Sequence, residues 1–327
     1  MELSIFMICI FVPLFFGILG AFFIKRFGYK LGLIDTAGER SSHEGKIPKA
    51  GGIGIVISFV VCSLYLKIPY FFLIPAVFLS FISFCNDLRE IKPKYRLLIH
   101  FFCSFVFLIG FIFFSGTCFF SNFWFIPILA VFIAGTANFY NFMDGINGIA
   151  AITGVVAFFF LGIYSYIFGF QTGYTLLFFS IMFSYLGFLP FNIPRASVFM
   201  GDVGSIFSGF IFACSSILLS ENLTDFFCIC GFIFLFYADE LSTMFIRLKE
   251  KESLVKPHRK HLYQVLVNEL GFSHFKISFF FGIIQFIISV LIINIKVYGI
   301  FYILIFYLFI FVIFCFYSFK IRKKAKS

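Results

Sequence analysis

Residues 123–164 read FWFIPILAVFIAGTANFYNFMDGINGIAAITGVVAFFFLGIY. A lead of 15 residues, nearly all apolar or small, runs into NFYNFMDGING (138–148), and apolar residues resume soon after. A hydrocarbon core about 30 Å thick is crossed by roughly 20 apolar residues in a helix. The stretch therefore reads as two membrane spans joined at a membrane surface. The join holds three asparagines, one aspartate and two glycines, in a chain with only 15 acidic residues. An ionisable group at the edge of hydrocarbon is costly and points to function by default.

The same pattern extends outward. The 327-residue chain is 61% hydrophobic and 12% charged, with a mean hydropathy of +1.06. Soluble domains run at about 45–50% apolar and about 25% charged, so the apolar excess must face lipid. The expected fold is all-α: one integral-membrane domain over 1–327, a bundle of about 10–11 transmembrane helices with a cytoplasmic active-site cleft. Spans are expected near 3–24, 51–66, 70–85, 97–117, 121–137, 150–168, 173–190, 204–220, 223–245, 277–295 and 297–319.

The first span has no basic residue before it and Lys25, Arg26 and Lys30 after it. A secretory signal has the opposite polarity, so the N-terminus is expected outside. Alternation then puts the loops at 25–50, 86–96, 138–149, 191–203 and 246–276 and the C-terminal tail in the cytoplasm. Of the 25 Lys and Arg, all but Lys67 and Lys296 fall on that side, a strong positive-inside bias. That bias accounts for the net charge of +10 without a nucleic-acid partner, and the KIRKKAKS tail would favour anionic lipid. The nine cysteines sit mostly in apolar runs without metal-type spacing, and read as small buried hydrophobes. The outer connections are very short, so chemistry is expected at the cytoplasmic surface.

Three carboxylates, Asp87, Asp144 and Asp202, each lie where an apolar span meets that surface. One such residue alone is explained by helix capping; three on one face, beside Asn or Gly, suggest a shared site. Magnesium takes oxygen ligands, typically one or two carboxylates completed by substrate phosphates. Asn138, Asn141, Asp144 and Asn147 are spaced by three, which on a helix turns neighbours towards one cleft. In GDVGS (201–205), the amides at a helix start are positioned to meet phosphate. Lys94, Arg96, Arg195, His258, Arg259, Lys260 and His261 are candidates to neutralise a diphosphate, and His258 and His261 share a helical face. His43 is a weaker candidate of the same type. His100 reads as a packed polar residue and His274 as interfacial.

RSSHEGKIPKAGG, NDLREIKPKYRLL, NFYNFMDGINGIA, FNIPRASVFMGDVGS and HRKHLYQ, in that order within about 30–265, resemble the polyprenyl-phosphate N-acetylhexosamine-1-phosphate transferases. The resemblance implies transfer of a sugar 1-phosphate from a UDP-N-acetylhexosamine to undecaprenyl phosphate with release of UMP. It also implies a Mg²⁺ requirement, with Mn²⁺ as a substitute, in a bacterial inner membrane. By motif, Asp202 is the expected metal ligand and Asn141 its second. Asp87 and Asp144 would prepare the lipid phosphate or hold the nucleotide-sugar, and His258 and His261 would contact diphosphate or sugar. Lys94 takes the basic position of the second loop. Asn138, Asn147, Asn192, Arg259 and His43 are expected on the substrate.

Two departures stand out. Relatives usually carry an Asp-Asp pair where this chain has Asn86-Asp87, and Asn86→Asp is expected to raise the rate or leave it unchanged. The histidine motif reads HRKH, closer to the surface-polysaccharide initiators than to the pentapeptide-accepting branch. A transporter and a catalytically inactive assembly protein remain as alternatives. Asp239-Glu240, the feature favouring a transporter, reads instead as cleft-lining. The oligomeric state is open between monomer and homodimer.

Overall fold

The computed structural model describes residues 2–38, 42, 45–114, 120, 122–253 and 258–326. Among the described residues its regular structure is helical apart from one short hairpin, in which Ile34–Thr36 (β1) pairs antiparallel with Lys46–Pro48 (β2). The helices are α1 (Glu2–Leu31), α2 (Ile53–Tyr65), α3 (Tyr70–Leu88), α4 (Pro93–Phe114), α5 (Ile126–Phe142), α6 (Ile149–Ile167) and α7 (Thr172–Asn192). They continue with α8 (Asp202–Leu218), α9 (Leu223–Cys230), α10 (Phe234–Lys249), α11 (Leu262–Asn268), α12 (His274–Ile295) and α13 (Ile300–Lys326). Among the described residues, nine helical segments are long and apolar enough to cross a bilayer, and α2 and α8 are shorter apolar helices. The protein is an all-α, multi-pass membrane protein. These eleven segments coincide with the expected spans; α1 and α13 run further, to Leu31 and Lys326.

The bundle is built around α8, which is buried from Val203 to Ile217. A helix that is apolar all round belongs in a core, and this one faces protein rather than lipid, so 17 residues suffice. It packs between α3 and α5. A Cβ added at Gly209 would lie 2.6 Å from the Thr136 carbonyl oxygen, so glycine permits the close approach of α5 that membrane packing rewards. At the other extreme, α13 presents Phe301, Leu308, Phe309, Phe316 and Phe319 outward, as a lipid-facing helix does.

The ninth expected span is not continuous. It breaks at the 3-10 turn Gly231–Ile233 between α9 and α10. Freed backbone groups in a membrane must find partners inside the protein, and Gln285 of α12 supplies them. Its Oε1 accepts from Leu235 N at 3.0 Å and its Nε2 donates to Gly231 O at 2.8 Å. At the far end of the bundle Lys296, one of the two exceptions to the charge bias, pairs with buried Asp225 at 2.8 Å. Tyr164 donates to the same carboxylate at 2.8 Å. That cation is a structural partner, which explains its tolerated position.

Candidate active site

At one end of the bundle these helices enclose a polar cleft of about 340 Å³. Asp87 comes from the last turn of α3, Asn141 from that of α5, and Asn192 from the end of α7. Asp144 and Asn147 come from the α5–α6 loop, Asp202 from the first residue of α8, Gln264 from α11 and His274 from the start of α12. Asp35, Ser42 and Lys49 enter from the hairpin region. Antiparallel neighbours with short connections bring sequence-distant ends to one membrane surface, which is how six of the predicted site residues meet.

Asp87 is fixed by the start of α8. Its Oδ1 accepts from Asp202 N at 3.2 Å and its Oδ2 from Val203 N at 3.0 Å. A helix start carries unpaired N–H groups and a positive dipole end, so a carboxylate is a natural occupant. The α8 amides, expected to meet phosphate, are thus taken by Asp87. Gly201 makes this approach possible: its φ is +74°, and a Cβ there would stand 2.7 Å from Asp87 Oδ2. Lys49 Nζ lies 3.9 Å from Asp87 Oδ1.

Asp202 is the hub of the site. Oδ1 accepts from Asn141 Nδ2 at 2.8 Å, and Oδ2 accepts from Asn86 Nδ2 at 2.7 Å. Arg96 Nη2 pairs with Oδ2 at 3.0 Å. Asn141 also donates to Ser205 Oγ at 2.8 Å, so Nδ2 is engaged twice and Oδ1 is its accepting atom. Asn86 is joined at both ends, since its Oδ1 accepts from Ile91 N at 2.7 Å. An aspartate there would have no N–H to offer Asp202.

The helix expected to carry Asn138 through Asn147 ends at Phe142. Asn138 stays on α5 outside the cleft lining, donating to Ala134 O at 2.7 Å and lying 2.9 Å from buried His100 Nδ1. Asp144 and Asn147 reach the cleft from the loop. Removal from water, then the Asp202 and Asp87 charges, push the Asp144 carboxyl well above the usual range. Asn147 Oδ1 is buried without a protein partner. Its backbone is held from both sides, N–H to His274 Nδ1 at 3.1 Å and carbonyl from Ser278 Oγ at 2.7 Å. Asn192 accepts from Gly148 N at 2.7 Å and donates to Val198 O at 2.9 Å, so it positions the loop as well as lining the cleft.

Other expectations are not met in place. Lys94 lies over the Tyr95 ring at 4.9 Å, and Arg96 makes the contact with Asp202. Arg259 is exposed and 3.9 Å from Glu269. His261 is buried between Asp239 and Glu240, at 3.8 and 3.4 Å, and the His258 ring lies tilted beside it at 4.8 Å between centroids. Neither histidine is among the residues lining the cleft. Burial, then His261 and Arg247, push His258 down to about 4. Asp239, expected to line the cleft, instead caps α11. His43 lies outside the described residues. Lys49, Gln264 and His274 line the cleft without having been singled out for it.

Residues 69–220 match the model of the family described as glycosyl transferase family 4. The matched segment is a little under half of the chain. That match takes in Asp87, Asn141, Asp144, Asn192 and Asp202, so the family segment supplies most of the cleft. The undecaprenyl-phosphate alpha-N-acetylglucosaminyl 1-phosphate transferase of Escherichia coli (strain K12) is 28% identical over 279 residues, covering 79% of this chain and 75% of that protein. The phospho-N-acetylmuramoyl-pentapeptide-transferase of Wolbachia pipientis wMel is 30% identical over 212 residues, 58% of this chain and 64% of that protein. That of Staphylococcus saprophyticus is 41% identical over 110 residues, 34% of this chain and 33% of that protein.

Proposed function

We propose that this chain transfers an N-acetylhexosamine 1-phosphate, or a deoxy derivative, from a UDP-sugar to undecaprenyl phosphate, releasing UMP. On this reading it initiates O-antigen, capsule or a related envelope polysaccharide at the cytoplasmic face of a bacterial inner membrane. The observation that carries it is the meeting of Asp87, Asp144 and Asp202 with Lys49 in one cleft at the ends of apolar helices. A lipid-borne acceptor reaches such a cleft from the bilayer and a nucleotide reaches it from water. The relatives' names supply the substrate class.

In the reaction an oxygen of undecaprenyl phosphate attacks the sugar-bearing phosphorus of the UDP-sugar. The bond from that phosphorus to the bridging oxygen breaks, and the oxygen leaves with UMP. Phosphoryl transfer depends mainly on positioning and charge stabilisation. A phosphomonoester has a second pKa of about 6, so the acceptor is largely a dianion at neutral pH and Asp87 has little deprotonation to do. Lys49 and Arg96 offset the negative charge of diphosphate and carboxylates. Asn147 Oδ1 offers a buried acceptor to a substrate N–H.

The donor set fits a hard cation. It consists of carboxylates and an amide oxygen. That matches Mg²⁺, which takes few protein ligands and completes its shell with phosphate and water. Asp202 and Asn141 would hold it, and bound there it supplies positive charge to the transferring oxygens. The test is incubation of purified protein with undecaprenyl phosphate, Mg²⁺ and a panel of UDP-N-acetylhexosamines, with lipid products read by mass spectrometry. A lipid-linked sugar diphosphate from at least one donor is expected; none from any would overturn the proposal.

A further inference from the structure

Helix α13 lies outside the matched family segment and is almost wholly exposed along its apolar length. It nevertheless sinks one cation into the protein. The Arg322 side chain is only 12% exposed, and each of its nitrogens has a partner. Nε donates to Ser318 Oγ at 3.0 Å, Nη2 donates to Thr243 Oγ1 at 3.1 Å, and Nη1 donates to the Lys260 carbonyl. Nη2 also stands 3.8 Å from Asp239 Oδ1.

These partners lead to the cleft. Asp239 accepts from Leu262 N at 2.8 Å and Tyr263 N at 3.3 Å, the first amides of α11. With seven residues, α11 is too short to persist without tertiary support. Its Tyr263 hydroxyl donates to Phe142 O at 2.9 Å, and Gln264 lines the cleft. Both side chains press on Gly145, where an added Cβ would stand 2.2 Å from Tyr263 Oη and 2.9 Å from Gln264 Nε2. Gly145 is the residue after Asp144.

We propose that Arg322 is a positioning residue: by tying α10, the Lys260 carbonyl and the cap of α11 together, it holds Tyr263 and Gln264 against the loop that presents Asp144. The effect on transfer rests on the proposed function; the effect on α11 does not. An arginine can serve three acceptors at once through its planar fork, and a lysine cannot.

The test compares Arg322→Met, Arg322→Lys and Lys323→Met in full-length detergent-purified protein. Lys323→Met removes the same charge from an exposed neighbour. Amide exchange over 261–268 is read beside exchange over α6 and α7, and UMP release is measured against UDP-sugar concentration. Arg322→Met should speed exchange about tenfold within 261–268 alone and raise KM for the UDP-sugar several-fold. Arg322→Lys should fall between, and Lys323→Met should match the parent. Exchange that is unchanged in that segment, or faster everywhere alike, overturns the proposal. If Arg322→Met does not fold, Arg322→Lys decides by the same readings. Faster local exchange in a protein with no transferase activity would leave the positioning role standing and remove the proposed function.

Discussion

Asp202 and Asp239 are surrounded by nearly the same chemistry. Each carboxylate faces an arginine, Arg96 at 3.0 Å and Arg322 at 3.8 Å, and each accepts from two amide nitrogens. What differs is the donor. Asp202 is held by the side-chain amides of Asn86 and Asn141 and is 21% exposed; Asp239 is held by backbone N–H groups of α11 and is fully buried. Side-chain amides can rotate away to let a ligand in, whereas helix-start amides leave only if the helix unwinds. The first arrangement suits exchange with a substrate or cation, and the second suits permanence.

The sharpest way to break this contrast is to neutralise each carboxylate in turn. Asp202→Asn should lower turnover by about 10²–10³, the range for losing one electrostatic contact to a developing charge, while thermal stability in detergent stays within about 1 kcal/mol. Asp239→Asn should do the reverse, costing about 2–3 kcal/mol of stability because it weakens two cap bonds and leaves Arg322 buried with less compensation. Equal effects of both on stability would remove the distinction.

Asn86→Asp sharpens it further. The sequence alone suggests a rate raised or unchanged, but the geometry reverses that sign. A carboxylate would replace the N–H group 2.7 Å from Asp202 Oδ2, and like charges at that distance repel. Activity should fall about tenfold at limiting Mg²⁺ and recover in excess Mg²⁺, read as a shift in the cation concentration giving half-maximal rate. An unshifted curve would show that Asn86 does not tune Asp202.

The smallest effect concerns His258. Its folded value, about 4, lies below the ordinary 6.5, so the unfolded chain binds the extra proton first as pH falls. Stability should therefore decline from about pH 6.5 down to about pH 4 and level off below. His258→Gln should flatten that portion of the melting-temperature profile. An identical slope in the variant would assign the decline to other groups.

The spans were legible because lipid as solvent leaves little choice of pattern. The break at Gly231 was not, because its compensation by Gln285 is tertiary and lies some fifty residues away in the chain. The carboxylates were legible as charges beside hydrocarbon. Lys94 and Arg96 were both legible as basic residues of the second loop, but residues two apart do not share a helical face, and Arg96 is the one directed at Asp202. Asn138 to Asn147 misled because their spacing continues past the real helix end at Phe142. Lys49 and His274 carried no local signal, since only folding brings a hairpin and the start of α12 to the same cleft.

The most direct measurement is steady-state UMP release by the parent and by Asp202→Asn, with undecaprenyl phosphate, the UDP-N-acetylhexosamine that yields product, and Mg²⁺ added or chelated. The account predicts release by the parent that stops on chelation and returns with Mg²⁺, and release by the equally folded variant reduced by at least about 10². Parent-like release from Asp202→Asn at ordinary Mg²⁺ would contradict it.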